Sequence, residues 1–466
     1  MMKSVYILYL LTVFYLGYRS SFGTRNPVFT FCLIVWILAE PVLNSREFTI
    51  SIPGVFFDFH LNRIFTPVFL ILILHELRKG KRGKSDVLRL PLKHPHEYFI
   101  SIYLLTILIS TALNTITGNI SLKQFVLIGS GQTYFLLIYI CTKMFLDHVA
   151  TKRIINILLA FSAFSAFLAL IQVFVERNFF WFGMDRLAFG EVYRALGIFH
   201  NEYTLAFFHI TIIIFLLTRS KKHIALIFLN AIPVALSFHR LSWVILVVAI
   251  FYSILLQPKK ASILIPASFF SIFLFLSLVY IQGFSGVTFA DISDTVFYRQ
   301  RLTQDTLRGR FDQWQNALTI MQSHFFGIGS YESDSYLRAA ARIGQLQDIE
   351  IFDMDIRQVV GTKKTGLIVH NGFLSAGVKY GIPGAITFFL MCILFFHYHL
   401  TNYRRKRSQQ NALFLLCTFT WLVYQTTQDF SNLLSYHSIF FAIVLALHPK
   451  NLLDLRLSSP SSPNDH

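Results

Sequence analysis

Residues 154–175 read IINILLAFSAFSAFLALIQVFV, a run with no charged side chain that begins directly after Lys152 and Arg153. As an α-helix this stretch is about 33 Å long, enough to cross the hydrocarbon core of a bilayer. Lipid offers no partners to the backbone, so such a run crosses as a helix. The same pattern recurs on both sides of it. Apolar runs lie at 5–18, 27–43, 61–77, 98–115, 122–141, 203–218, 224–237, 241–256, 262–283, 372–398, 411–425 and 434–447. The expected fold class is an all-α polytopic membrane protein with about 12–13 transmembrane helices and one large exported loop.

The composition of the 466 residues agrees: 54% are hydrophobic and 14% charged, where a soluble domain carries about 25% charged. The formal net charge of +17 in a soluble protein would point to nucleic acid. Here it falls in short blocks between apolar runs, so the partner is the membrane and no nucleic acid is expected. The blocks are Arg78 to Lys93, Lys143 with Lys152 and Arg153, Arg219 to Lys222, Lys259 with Lys260, and Arg404 to Arg407. They alternate with the remaining loops, which puts them on the cytoplasmic side. The segments 44–60, 116–121, 176–202, 238–240, 284–369 and 426–433 then lie on the exported side, as does the N-terminus. The run Val5 to Tyr18 is preceded only by Lys3 and followed by no small-residue cleavage site, so it reads as the first spanning helix rather than a signal peptide. Cys32, Cys141, Cys392 and Cys417 each sit inside an apolar run without ligand spacing and read as buried small hydrophobes. No metal site is expected, and no internal repeat is evident.

The chain divides into an N-terminal bundle over 1–283, a loop with short helices over 284–369, C-terminal spanning helices over 370–450, and a polar cytoplasmic tail over 451–466. Within the loop, Phe311, Trp314, Leu318 and Met321 recur at helical spacing, so a helix is expected from Thr306 to Ser323, closed by a turn at Gly327 and Gly329.

Arginine at a membrane edge costs roughly 2.5–3.5 kcal/mol on insertion scales, and so calls for a function. Arg240, in SFHRLSW, lies between two apolar runs on the exported side, where a topology marker would not be expected. Arg308-Gly309-Arg310 precedes Trp314, which shares a helix face with Arg310. His370-Asn371 opens the helix that returns to the membrane, and Asn371 is also a natural helix cap. Two arginines and a histidine on one side of a membrane suit a phosphate-bearing lipid. Arg194, His200, Asn201 and Glu202 form a second tier, as glycan contacts or as groups that position their loop; Glu202 also fits as a cap-region acid. The aromatic stretch Phe179 to Phe182 reads as an interfacial belt, or as a wall for a lipid chain or sugar ring.

Taken in order, SFHRLSW (237–243), GRFDQW (309–314), FGIGS (326–330) and HNGFLSAGVKYGIPG (370–384), with the weaker RALGIFHNE (194–202), resemble the O-antigen ligase and O-antigen polymerase superfamily of membrane glycosyltransferases. The likeness covers most of 190–400. The chain departs from the family pattern at His239, where Ser is common, and at His324-Phe325-Phe326, where a proline often precedes the turn. The resemblance implies a GT-C-like bundle in the inner membrane with a periplasm-facing site. It implies a donor glycan on undecaprenyl pyrophosphate, an acceptor that is lipid A–core or a lipid-linked glycan, and a metal-independent, inverting transfer without cofactor. In that scheme Arg240 and Arg310 hold the pyrophosphate and His370 contacts or activates the acceptor hydroxyl, with Arg308, Trp314, Asn371, Arg194, His200, Asn201 and Glu202 around the substrate. A ligase and a polymerase share this chemistry. A flippase is the alternative of another class, but it calls for charges along a midplane path on several helices.

Overall fold

The computed structural model describes residues 2–43, 61–82, 94–176, 179–180, 187–189, 192–199, 201–217, 224–237, 239–256, 304–329, 369, 371–427, 433 and 435–447. The expected span at 262–283, most of the 284–369 loop and the 451–466 tail lie outside them.

Among the described residues the chain is helical apart from one small ribbon. The helices are α1 (Met2–Ser21), α2 (Pro27–Leu43), α3 (Leu61–Arg82), α4 (Pro95–Ile116), α5 (Leu122–Phe145), α6 (His148–Phe174), α7 (Glu202–Leu217), α8 (Ile224–Leu236), α9 (Arg240–Leu256), α10 (Gln304–Ser323), α11 (Gly372–Arg405), α12 (Gln409–Thr427) and α13 (Tyr436–Ala446). The ribbon pairs β1 (Leu187–Phe189) antiparallel to β2 (Val192–Tyr193). Among the described residues four helices, α4, α5, α6 and α11, are long and apolar enough to cross a membrane; several shorter apolar helices accompany them. This is an all-α polytopic membrane protein. Its outer surface agrees: Leu8, Ile71, Phe167 and Val247 on four different helices are all exposed, a surface that only lipid would cover favourably. Inside, the large rings interlock. Trp421 stacks on Phe441 at 4.4 Å and Trp36 on Tyr436 at 5.1 Å.

Polar contacts sort the helix ends into two groups. At one end Arg153 donates to the carbonyls of Ser20 and Phe22, and the Arg25 backbone N–H donates to Asp147. At the same end Lys143 pairs with buried Glu97, and Asn411 donates to the carbonyls of Asn402 and Lys406. These are the loops rich in lysine and arginine. At the other end the Tyr6 hydroxyl donates to the Phe180 carbonyl, the Ala195 N–H to the Leu236 carbonyl, and the Asn371 side chain to the Thr426 carbonyl. The segments expected on the exported side that are described here meet at this second end, together with the start of α1.

α11 differs from the uninterrupted span expected over 372–398. It breaks at Gly381, whose φ of 77° and ψ of −174° are not helical. The left-handed φ suits glycine, and Pro383 follows within two residues. The first part folds back on the second, so that the Phe373 ring lies 5.7 Å from Phe388 and 5.4 Å from Phe389. The Gly-x-Gly turn fills the break. Ile328 and Gly329 donate to the carbonyls of Val378 and Lys379, which the broken helix leaves open, and Ile382 donates to the Phe325 carbonyl. From α4, Ser110 and Asn114 bond the carbonyls of Phe326 and Gly327.

Candidate active site

The second end gathers three element termini. Asn371, in extended conformation (φ −161°, ψ 119°), caps α11: its side-chain oxygen accepts from the backbone N–H of Phe373 and of Leu374, each at 3.0 Å. Its amide nitrogen reaches the Thr426 carbonyl of α12 at 3.3 Å. Asn371 is therefore the joint between α11 and α12. Next to it, Gly372 packs against Gln425, whose side-chain oxygen occupies the place a Cβ at residue 372 would face. Gln425 is fully buried, and neither its Oε1 nor its Nε2 has a hydrogen-bond partner among the described residues.

Arg240 opens α9. The α9 start is tied to the same corner, since Ser242 bonds the Tyr424 hydroxyl at 2.5 Å. α10 lies along the first part of α11. Ala317, Ile320, Ile328, Val369 and Val378 form a small apolar cluster with Trp314 and Leu374 packed against it. The helix expected from Thr306 begins at Gln304, so Arg308 and Arg310 are both helical, four and two positions before Asp312 on the amphipathic α10. The side chains of Arg240, Arg308 and Arg310, and the whole of His200 and His370, lie outside the described residues.

The second tier divides by role. Arg194 and Glu202 form an ion pair at 2.5 Å, both largely shielded, and the Arg194 Nε–H is buried without a partner among the described residues. Asn201 caps α7 by accepting from the Thr204 N–H at 2.7 Å. The loop that carries these residues is pinned by one side chain that sequence reasoning missed. Gln172 of α6 accepts from the N–H groups of Leu196 and Gly197 and donates to the carbonyls of Phe179 and Gly197. A lone amide in an apolar run is costly unless satisfied, and that was the available signal. His209 is likewise absorbed into structure, held between Asn230 and Ser165.

The described residues form a polytopic helical bundle with its basic loops at one end and, at the other, a cluster of polar caps, the start of α9 and a broken helix. Residues 224–389 match the family model described as O-antigen ligase. The match runs from α8 across α9, α10 and the Gly-x-Gly turn into α11, and over that stretch the chain is similar to the O-antigen ligase family. That likeness supports a function of the O-antigen ligase and polymerase type in general. No curated protein matches the chain.

Proposed function

We propose that the protein is an O-antigen ligase-type glycosyltransferase of the bacterial inner membrane, moving a glycan from undecaprenyl pyrophosphate to an acceptor hydroxyl of lipid A–core at the periplasmic face. The observation that carries this reading is that the α9 start and the α11 cap, both inside the matched region, meet the α12 end at the pole opposite the basic loops. A pyrophosphate is a good leaving group once its charge is balanced, and two guanidiniums can balance it with bidentate bonds. Arg240 and Arg310 take that role. Departure of the pyrophosphate leaves an oxocarbenium-like sugar, which needs only modest activation of the acceptor oxygen. His370 supplies it, as imidazole has an unperturbed pKa of about 6.5. Arg194, paired with Glu202, offers a further N–H to the glycan or the diphosphate.

The test is deletion of the gene followed by analysis of surface lipopolysaccharide and carrier-linked glycan. Long chains stranded on the carrier are expected. Single repeats attached to core would make the protein a polymerase, and glycan held in the cytoplasm would make it a transporter. In a complemented strain, His370→Ala and Arg310→Lys are each expected to abolish transfer while donor accumulates outside. Normal glycan attachment in the His370→Ala strain would remove that residue from the chemistry. Full activity of Arg310→Lys would reduce the arginine to bulk charge, since lysine lacks the fork of donors.

A further inference from the structure

One side chain draws two separate stretches together at the pole opposite the basic loops. Gln172 Nε2 donates to the Phe179 carbonyl at 3.1 Å and to the Gly197 carbonyl at 2.8 Å. Its Oε1 accepts from the Leu196 and Gly197 N–H groups at 3.0 and 2.7 Å. Both donors and both lone pairs of the amide are thus engaged by backbone. The second stretch is also tied to the end of α8, where the Ala195 N–H donates to the Leu236 carbonyl. On the first stretch the two rings part. Phe180 has a φ of 75°, rare for a bulky residue. Its ring turns inward against Tyr6 at 5.1 Å and Tyr9 at 5.9 Å. Phe180 is 5% exposed, whereas its neighbour Phe179 is 38% exposed.

The second stretch carries Arg194, whose side chain is 23% exposed and pairs with Glu202 at 2.5 Å. Its charge is therefore already balanced within the protein. A diphosphate that approached this guanidinium would meet the Glu202 carboxylate as well, and repulsion would offset the attraction. A sugar hydroxyl is neutral and suffers no such penalty, yet still gains from a charged N–H donor. An exposed phenyl ring points the same way. It offers an apolar face that suits the C–H face of a sugar ring and does nothing for a phosphate.

We propose that Phe179 and the Arg194–Glu202 pair form a subsite for the glycan of the lipid-linked donor, set apart from the groups that hold its diphosphate, and that Gln172 is the positioning residue that keeps the two stretches in register. This rests on the reading of the protein as one that takes a polyprenyl-diphosphate-linked glycan. It assigns these side chains to the neutral sugar rather than to the charged head.

The test is binding to the purified full-length protein in nanodiscs, with three lipids as probes: the carrier-linked glycan extracted from the deletion strain, bare undecaprenyl pyrophosphate, and undecaprenol. Phe179→Leu is expected to weaken binding of the glycan-bearing lipid by about fivefold, the worth of one aromatic contact, with bare undecaprenyl pyrophosphate unchanged. Arg194→Gln combined with Glu202→Gln removes both charges and leaves no buried carboxylate unpaired. It is expected to cost about tenfold on the glycan-bearing lipid alone. Gln172→Leu should lose a similar amount, and its loss should not add to that of the Arg194→Gln, Glu202→Gln protein, because it acts through the same stretch. Phe179 is exposed, so Phe179→Leu decides the matter even where Gln172→Leu does not fold. Unchanged affinity for the glycan-bearing lipid in Phe179→Leu, or in the doubly neutralised protein, would overturn the assignment. Equal losses on bare undecaprenyl pyrophosphate would overturn it too, by moving these residues to the diphosphate. Equal binding of bare undecaprenyl pyrophosphate and undecaprenol by the wild-type protein is a separate result: it would bring down the diphosphate reading on which the subsite rests.

Discussion

At the residue scale, the site end depends on glycines whose reasons differ. Gly381 and Gly327 approach each other's backbone so closely that a methyl group on either would enter the other strand's atoms, and both have φ above 70°. Gly118 has a similar φ of 74° but open space around its Cα. The pair Gly118→Ala and Gly381→Ala therefore separates two costs. The first should lose only the strain of a left-handed alanine, about 1–2 kcal/mol. The second should lose that and the Ile382-to-Phe325 hydrogen bond, with displacement of the Gly-x-Gly turn, for a total of at least about 3 kcal/mol. Thermal unfolding of the solubilised protein measures both. Equal shifts would mean that the turn does not brace the break in α11. A single residue's need for glycine is readable from sequence only when its neighbour in space is known, and Gly327 lies far from Gly381 along the chain.

At the element scale, length and apolarity located most helices because a bilayer imposes both. α2, α8, α9 and α12 agree with the expected runs to within a few residues. The fold-back of α11 was hidden in an apolar run that continues through it; the only signal was Gly381 with Pro383, which also fits a mild kink. The candidate site was legible in part. Arg194 and Glu202 stand eight residues apart, at the two ends of one sequence motif, and pair in space; Asn371 had a cap reading that the structure bears out, and Asn201, read as a glycan contact or loop-positioning group, caps α7. Gln172 was not legible because it is a lone polar residue in a long apolar stretch, and Ser242, Tyr424 and Gln425 because what each meets lies on another helix far along the chain. Asn371 tests whether capping is its whole role. Asn371→Ala should destabilise the protein by about 1 kcal/mol, the usual cost of a lost cap. Asn371→Ser keeps a capping oxygen but not the amide that reaches Thr426. If serine restores both stability and glycan transfer, the residue acts as a cap; if it restores stability alone, the amide has a second task at the α11–α12 joint.

At the scale of the whole molecule, the sorting of helix ends is a physical consequence of charge. Moving lysine-rich loops across a membrane is unfavourable, so the segments that carry them stay together. The helices then deliver the remaining termini, including the α9 start and the α11 cap, to the opposite pole. The reading of a periplasmic transfer site stands or falls with which pole faces out, and the chain offers a direct way to measure it. All four native cysteines are buried, so a membrane-impermeant maleimide should leave the parent protein unlabelled. Single cysteines can then be placed at exposed positions of each pole: Thr117 and Gln315 at the site end, Arg25 and Lys406 at the basic end. In intact spheroplasts, Thr117→Cys and Gln315→Cys should label at once, whereas Arg25→Cys and Lys406→Cys should label only after the membrane is opened. The reverse pattern would turn Arg240 and the α11 cap toward the cytosol. A donor that presents its glycan outside could not then reach them, and the proposed transfer would have no site.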